Sequence, residues 1–320
     1  MLRYLFKRLL MLIPVLLGVT VLMFTLLFVA KQDPAVVILG DSATPESIAE
    51  LREEMGLNDP YFTRLFRYIK QITRFDLGTS YKDGRPVLEK LLEVLPTTMK
   101  LALVSSVVAS ILGIILGVIS AVRQYSAVDT ILTGVALTGT SVPIFWWGLM
   151  LILIFSVNLQ WLPASGSYGP EYWILPGVTL ATAMTASIMR MTRSSMLEVI
   201  RQDYIRTARS KGQKEIVVVF KHALRNALIP IMTTIGINFG AQLAGSVVTE
   251  SLFAISGLGK LMLDSINSLD YPVVQGGVLL IAFIYTALNT IIDMLYAFVD
   301  PRVKVGSKKN RKKRREVKNA

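Results

Sequence analysis

The 320-residue sequence contains no cysteine and only one histidine, His222. The absence of cysteine excludes disulfides, thiolate metal sites and cysteine nucleophiles. Without cysteine or a second histidine, a zinc site would need an unusual set of carboxylate ligands. The H-E-x-x-H pattern of zinc proteases and the G-x-S-x-G pattern of serine hydrolases are also missing. We therefore expect no catalytic residue, no metal site and no cofactor, and we expect that the chain is not an enzyme.

Charged residues are scarce as well. They make up 18% of the sequence, whereas soluble domains carry about 25%. Low charge combined with long apolar runs indicates a chain that folds in a lipid bilayer. Six runs are candidate membrane spans, at residues 9–30, 97–122, 131–157, 174–189, 226–248 and 273–299. We predict an all-α integral membrane protein with six transmembrane helices.

The charges that are present lie mostly on one side of the predicted membrane. Segment 190–225 contains nine basic and three acidic residues, and the part after residue 300 contains ten basic residues and one acidic residue. Segment 31–96 instead contains nine basic and eleven acidic residues. Because basic loops remain in the cytoplasm, we predict a multi-pass membrane protein with both termini cytoplasmic.

The net charge of +12 therefore follows from membrane topology. We expect the basic surface to contact anionic membrane lipid, and we expect no nucleic-acid partner. Residues 303–320 contain almost no apolar side chains to bury, so we predict that they form a basic, disordered cytoplasmic tail.

The predicted external segment, residues 31–96, is too long for a simple connection and carries two helix signals. Thr44 can cap a helix that has Pro45 in its first position and ends at Gly56. A second amphipathic helix follows Pro60. We predict a partly helical segment. It could form a lid on its own membrane domain, a docking surface for a partner, or both.

Several polar and small side chains lie inside the predicted spans. Asn238 and Gln242 share one face of the fifth span, where they could line a pathway or form interhelical hydrogen bonds. Stripes of small residues indicate close helix packing. They comprise Ala109, Gly113, Gly117 and Ala121 in the second span, and Gly236, Gly240 and Ala244 in the fifth.

The cytoplasmic segment between the fourth and fifth spans reads D-Y-I-R-T-A-R-S-K-G at residues 203–212. A short polar helix that Gly212 ends in a left-handed conformation would form a rigid knob. Seated in a cytoplasmic ATPase, this knob could tilt the adjoining spans. The other interpretation is a solvated basic loop that serves only topology. Residues 256–260 do not form a phosphate loop, because Ala254 replaces the required glycine, so ATP would be used by another chain.

These residues resemble the membrane-domain signature of binding-protein-dependent ABC importers, which reads E-A-A, three residues, Gly and later I-x-L-P. Residues 206–208 (R-T-A) occupy the E-A-A position, Gly212 is the glycine, and residues 228–230 (L-I-P) form the end. The form R-T-A-x-x-K-G is usual in the dipeptide and oligopeptide permease branch. Further matches to that branch are G-L-N-D-P at 56–60, D-L-G-T-S at 76–80, T-E-S-L-F at 249–253, G-L-G at 257–259, D-Y-P at 270–272 and D-P-R at 300–302.

The resemblance implies the type I ABC importer permease fold and a role as permease subunit for di- or oligopeptides in a prokaryotic cell (inner) membrane. It divides the chain into residues 1–30, the external segment 31–96, a five-helix core at 97–302 with a coupling loop at 190–225, and the tail. The implied partners are a second homologous permease, two cytoplasmic ATPase subunits and an external solute-binding protein. The implied ATPase-coupling residues are Tyr204, Arg206, Thr207, Ala208, Lys211, Gly212 and Pro230.

Two other functions remain open. The same importer class also carries nickel chelates, glutathione and other small solutes, and solute choice is expected in the binding protein. A self-sufficient channel or ion-driven transporter is the alternative from a different class, and Asn238 and Gln242 would then line its pathway.

Overall fold

A computed structural model describes residues 2–30, 33–40 and 43–299 of the chain. These ranges are helical apart from their connections and one antiparallel bridge between Thr79 and Pro86. The predicted tail at 303–320 lies outside the described residues. The helices are α1 (Leu2–Val29), α2 (Pro34–Leu39), α3 (Pro45–Glu54), α4 (Tyr61–Ile72), α5 (Val87–Val122), α6 (Ala127–Ser141), α7 (Ile144–Leu151), α8 (Ile174–Ile200), α9 (Asp203–Ser210), α10 (Glu215–Val217), α11 (Arg225–Gly245), α12 (Val247–Leu252), α13 (Leu258–Asn267) and α14 (Tyr271–Val299).

Among the described residues, five stretches are long and apolar enough to cross a membrane as continuous helices. The third predicted span has a different form. Helix α6 is followed by α7, which continues as a π-helix to Asn158, and the two parts are bent by 106°. Pro143 lies at the bend, and Val142 before it is extended with ψ 129°, because proline disfavours helical geometry in the preceding residue. The predicted six spans are obtained when this bent pair counts as one.

The glycines of the small-residue stripes lie at packing surfaces, as predicted, and the side chain of Ala244 lies outside the described part of the structure. A Cβ atom on Gly113 would lie 2.7 Å from the Ile188 Cβ, and one on Gly117 would lie 2.5 Å from the Thr192 Cβ. The second span, α5, therefore packs directly against α8. In α11, Gly236 and Gly240 make equally close contacts with side chains of α14.

The external segment is partly helical, as predicted. The Thr44 hydroxyl accepts a hydrogen bond from the Ser47 N–H at 3.3 Å, and Pro45 occupies the first turn of α3. Gly56 follows this helix with φ +62°, a conformation that favours glycine. Helix α4 follows Pro60 and buries Leu65.

Two of the quoted motifs meet in space. The D-L-G-T-S segment forms a loop that docks on Asp270, the first residue of D-Y-P. The buried Asp270 carboxylate accepts hydrogen bonds from the Ser80 hydroxyl and, at 2.9 Å, from the Tyr81 N–H. The Lys90 ammonium lies 4.0 Å away. This contact joins the external segment to the start of α14.

The T-E-S-L-F and G-L-G motifs also meet. Glu250 is fully buried, and its carboxylate accepts hydrogen bonds from Thr98 at 2.7 Å, Ser246 at 2.9 Å and the Lys260 N–H at 3.0 Å. The last of these belongs to the first turn of α13, where a carboxylate is favoured by the helix dipole. Gly257 is required beside it, because a Cβ there would lie 2.4 Å from Glu250. The G-L-G sequence thus begins a helix beside a buried carboxylate.

Candidate functional site

The predicted knob is the helix α9. It is eight residues long, and helices this short are not stable on their own in water. Two side chains fasten it to the membrane domain: Ile205 is 0% exposed and Ala208 is 7% exposed. They belong to one apolar cluster with Met196 of α8 and with Val218 and Val219, which follow α10. Ile205 and Ala208 are three residues apart, so they lie on one face of α9 that packs while the other face is exposed to solvent.

The end of α9 has the geometry predicted from Gly212. This residue has φ +73°, and its N–H donates to the Arg209 carbonyl at 2.9 Å. The following N–H, of Gln213, donates to the Ala208 carbonyl at 3.4 Å. This pair of bonds is the Schellman arrangement, which satisfies carbonyls that the helix leaves unpaired.

A charged clamp then fixes the turn that leaves the knob. The Arg209 guanidinium binds both carboxylate oxygens of Glu215, at 2.6 and 3.1 Å. Hydrogen bonding to this carboxylate raises the pKa of Arg209. The His222 ring and the Gln213 side chain are hydrogen bonded at 2.7 Å. The loop from α9 to α11 is therefore internally braced.

Four of the predicted coupling residues share the exposed surface of the knob: Tyr204, Arg206, Thr207 and Lys211. The Thr207 hydroxyl donates to the Asp203 carbonyl at 3.0 Å. Burial raises the pKa of Tyr204, and its hydrogen bond to Asn226 opposes that shift. Neither Arg206 nor Lys211 forms an ion pair with another residue of the described ranges. The surface thus presents two cations and a phenol.

The other three coupling candidates have different surroundings. Ala208 faces inward, so its small side chain contributes to packing. Gly212 is exposed and ends the helix. Pro230 lies within α11, half-buried at the root of the loop, and is not part of the knob.

The two candidate pathway residues differ in their surroundings. The Gln242 side chain is buried: its carbonyl accepts from Ser105 at 2.7 Å and Ser106 at 3.1 Å, and its amide donates to the Leu180 carbonyl at 3.4 Å. It thereby links α11 to α5 and α8. Asn238 is half-buried and donates to the Thr234 carbonyl at 2.7 Å. Of the two, Asn238 is the residue with an accessible side chain.

Sequence reasoning missed an ion pair between a buried carboxylate and a half-buried arginine, on the same side of the membrane domain as the knob. The Arg193 guanidinium binds both oxygens of Asp129, at 2.7 and 2.8 Å. The same carboxylate accepts from the Ser120 hydroxyl and, at 3.0 Å, from the Tyr125 N–H. This network ties the α5–α6 turn to α8. Its sequence signal was Ser126 followed three residues later by an aspartate, which is a helix-start pattern.

Comparison with known proteins identifies the family. Residues 113–305 match the model described as "Binding-protein-dependent transport system inner membrane component", and residues 1–102 match its N-terminal counterpart. The dipeptide transport system permease protein DppB of Alkalihalophilus pseudofirmus is 41% identical, covering 95% of this chain and 100% of that protein.

Two further relatives carry related names. The oligopeptide transport system permease protein AppB of Bacillus subtilis is 42% identical over 94% of this chain and 98% of its own length. The glutathione transport system permease protein GsiC of Salmonella paratyphi A is 41% identical over 95% of this chain and 99% of its own length.

Among solved structures, a chain of the inward-facing MetNI methionine ABC transporter has a TM-score of 0.58. It is 17% identical and covers 66% of this chain and 96% of its own, so it informs on the fold alone. The family models and the relatives agree with the bundle of membrane helices described above. The chain belongs to the family of inner membrane components of binding-protein-dependent transport systems, and it has the type I ABC importer permease fold.

Proposed function

We propose that this chain supplies half of the membrane pathway and one ATPase-coupling knob of an importer for di- or oligopeptides. The observation that carries the proposal is the construction of α9. It exposes Arg206, Lys211 and Tyr204 while Ile205 and Ala208 fasten it to α8. A surface held in this way can pass the movement of a bound ATPase to the membrane helices.

The proposal requires other subunits. The sequence has no phosphate loop, so two ATPase subunits on the cytoplasmic side would use the ATP. A second permease would complete the pathway, and a solute-binding protein would deliver the substrate to the opposite face. In this arrangement both termini and the coupling loop 190–225 are cytoplasmic. Residues 31–96 form the external segment, and residues 97–302 form the permease core.

The substrate assignment is supported by the relatives. Proteins about 40% identical over nearly their full lengths are named for dipeptide, oligopeptide and glutathione transport. Since glutathione is itself a modified tripeptide, all three solutes are peptides. We therefore assign the chain to a short-peptide importer.

Reconstitution tests this function against the self-sufficient channel. The chain is placed in vesicles alone, and then with its partner permease, ATPases and binding protein. We expect peptide uptake only from the complete set with ATP. Peptide or ion flux through the chain alone would refute the importer assignment, whereas ATP-driven uptake of a nickel chelate but not of peptides would refute only the substrate.

A charge reversal tests the coupling surface. Arg206→Glu should abolish uptake, while the subunit still assembles in the membrane. Arg123→Glu is the matched control, because Arg123 is exposed in the turn between α5 and α6, outside the loop. If Arg206→Glu supports uptake at the unmodified level, the exposed surface of α9 does not have the coupling role.

A further inference from the structure

Helix α4 of the external segment packs against the last turns of α1. The Tyr61 ring lies 5.1 Å from the Phe28 ring and 5.6 Å from the Phe24 ring, and the Tyr68 ring lies 5.8 Å from Phe24. The Tyr61 and Thr25 hydroxyls are hydrogen bonded at 2.7 Å. Residues 10–29 of α1 form a candidate membrane span. Phe24 lies about 8 Å below the end of that helix, at 1.5 Å per residue.

This contact places α4 beside the last turns of the candidate span. Amphipathic helices that lie in a membrane surface bury their apolar face about 5–10 Å into the headgroup and acyl boundary. Phe62 and Phe66 are one helical turn apart on α4, and each is 68% exposed. Two such side chains at this depth would contact lipid, and the basic side chains of the helix could reach the headgroups.

A cavity of about 280 Å³ lies between α1, α4, the loop at 77–81 and the start of α14. Its lining includes Arg64, Tyr68, Tyr81 and Gln275. The Arg64 guanidinium stacks 5.3 Å from the Phe28 ring centroid and donates to the Leu57 carbonyl at 3.2 Å. In the part of the chain that the structure describes, Arg64 forms no ion pair, because the nearby Asp59 is paired with Arg67 of α4.

Two tyrosine hydroxyls provide further hydrogen-bond donors in the cavity beside the Arg64 guanidinium. The Tyr68 hydroxyl is buried and has no hydrogen-bond partner among the described residues. Burial raises the pKa of Tyr68 and raises that of Tyr81 to about 12, so both phenols remain protonated at neutral pH. A cavity with a guanidinium and an unused phenolic O–H matches an oxyanion, because charge-assisted hydrogen bonds to phosphate are strong.

We propose that this cavity binds the phosphodiester headgroup of a membrane phospholipid at the Val29 end of α1. Arg64 and Tyr68 donate to the phosphate, and the acyl chains lie along α1, whose Phe24, Leu27 and Phe28 line the cavity. The position of the cavity at the membrane boundary selects a lipid among phosphate-bearing ligands. Bound lipid would hold the external segment against α1.

Native mass spectrometry of the intact importer complex, extracted with its lipid, tests the site. We expect one tightly held phospholipid to be lost in Arg64→Gln and weakened in Tyr68→Phe. Lys70→Gln should retain it, because Lys70 is exposed on the same helix and is absent from the cavity lining. Equal retention in the complexes with Arg64→Gln and Lys70→Gln would overturn the proposal, as would an unmodified complex that holds no such lipid.

A depth measurement provides a second, independent arm. In the complex reconstituted in lipid vesicles, the extra emission of Phe62→Trp or Phe66→Trp should be quenched by brominated phospholipid. That of Glu53→Trp on α3 should be quenched by aqueous iodide instead. Iodide quenching at positions 62 and 66 would show that α4 lies in water and would overturn the proposal.

Discussion

The attachment of the knob depends on one side chain more than on any other. Ile205 is fully buried between α8 and the residues that follow α10. Replacing a buried isoleucine by alanine costs about 2–5 kcal/mol. Because α9 is too short to persist alone, we expect Ile205→Ala to weaken its docking on the membrane domain, with little effect on the bundle.

This energy translates into a measurable change. At 1.4 kcal/mol per tenfold, a loss of about 2–5 kcal/mol increases local opening of α9 by roughly 30-fold to several-thousand-fold. Amide hydrogen exchange of residues 204–212, measured on the assembled transporter, should accelerate accordingly. Peptide uptake should fall, while ATP hydrolysis by the partner subunits continues and is no longer coupled to uptake.

The same loop offers a matched control. Ile216 is 66% exposed, so Ile216→Ala makes the same chemical change without removing a buried contact. We expect it to leave both hydrogen exchange and uptake at their original values, because surface substitutions usually change the free energy of unfolding by less than about 0.5 kcal/mol. Equal exchange rates in the two variants would refute the idea that Ile205 fastens the knob.

Three further changes test other contacts. Arg193→Ala should lower the free energy of unfolding of the complex by about 3–5 kcal/mol, because it leaves the buried Asp129 carboxylate without its cation. The control Arg190→Ala, at an exposed position, should leave this free energy unchanged. Gly117→Ala should cost about 1–3 kcal/mol by overpacking α5 against α8, whereas Gly134→Ala has free space and should be neutral or stabilising in the same denaturation assay. Hydrogen bonding to Lys90 lowers the pKa of Asp83 to about 2. The pair therefore stabilises the external segment above pH ~4, and this stabilisation is lost as pH falls through about 2. Limited proteolysis of the external segment between pH 5 and 2 should increase with acid in the unmodified chain and lose this dependence in Asp83→Asn.

Features with a local cause were predictable. The left-handed Gly212, the Thr44 cap and the small-residue stripes each follow from neighbouring residues or from helical periodicity, and the structure has all three. The bend in the third span also had a local signal in Pro143, but a continuous apolar run concealed it. The mean hydropathy of a run depends only on its residue types, so it does not show where the helix axis changes direction.

Features that depend on tertiary partners were not predictable. Arg193 served only as a positive charge in the topology count, because its partner Asp129 lies 64 residues away in the chain. Likewise, Ala208 belonged to a family motif, and only packing shows that it faces inward. For Gln242, the sequence left a pathway role and an interhelical role equally open, and its hydrogen bonds to α5 and α8 favour the second.

The connections of α9 differ on its two sides, and this difference bears on how movement would spread. Helix α8 enters the knob directly and is held to α5 by the glycine contacts, so these two helices would follow α9 as one unit. Helix α11 is reached through the π-helix Val218–Leu224, a form that often marks functional sites. The hydrogen bonds of Gln242 cross the boundary between the two parts. Movement of α11 relative to the α5–α8 pair would have to break them, so this buried glutamine opposes such movement.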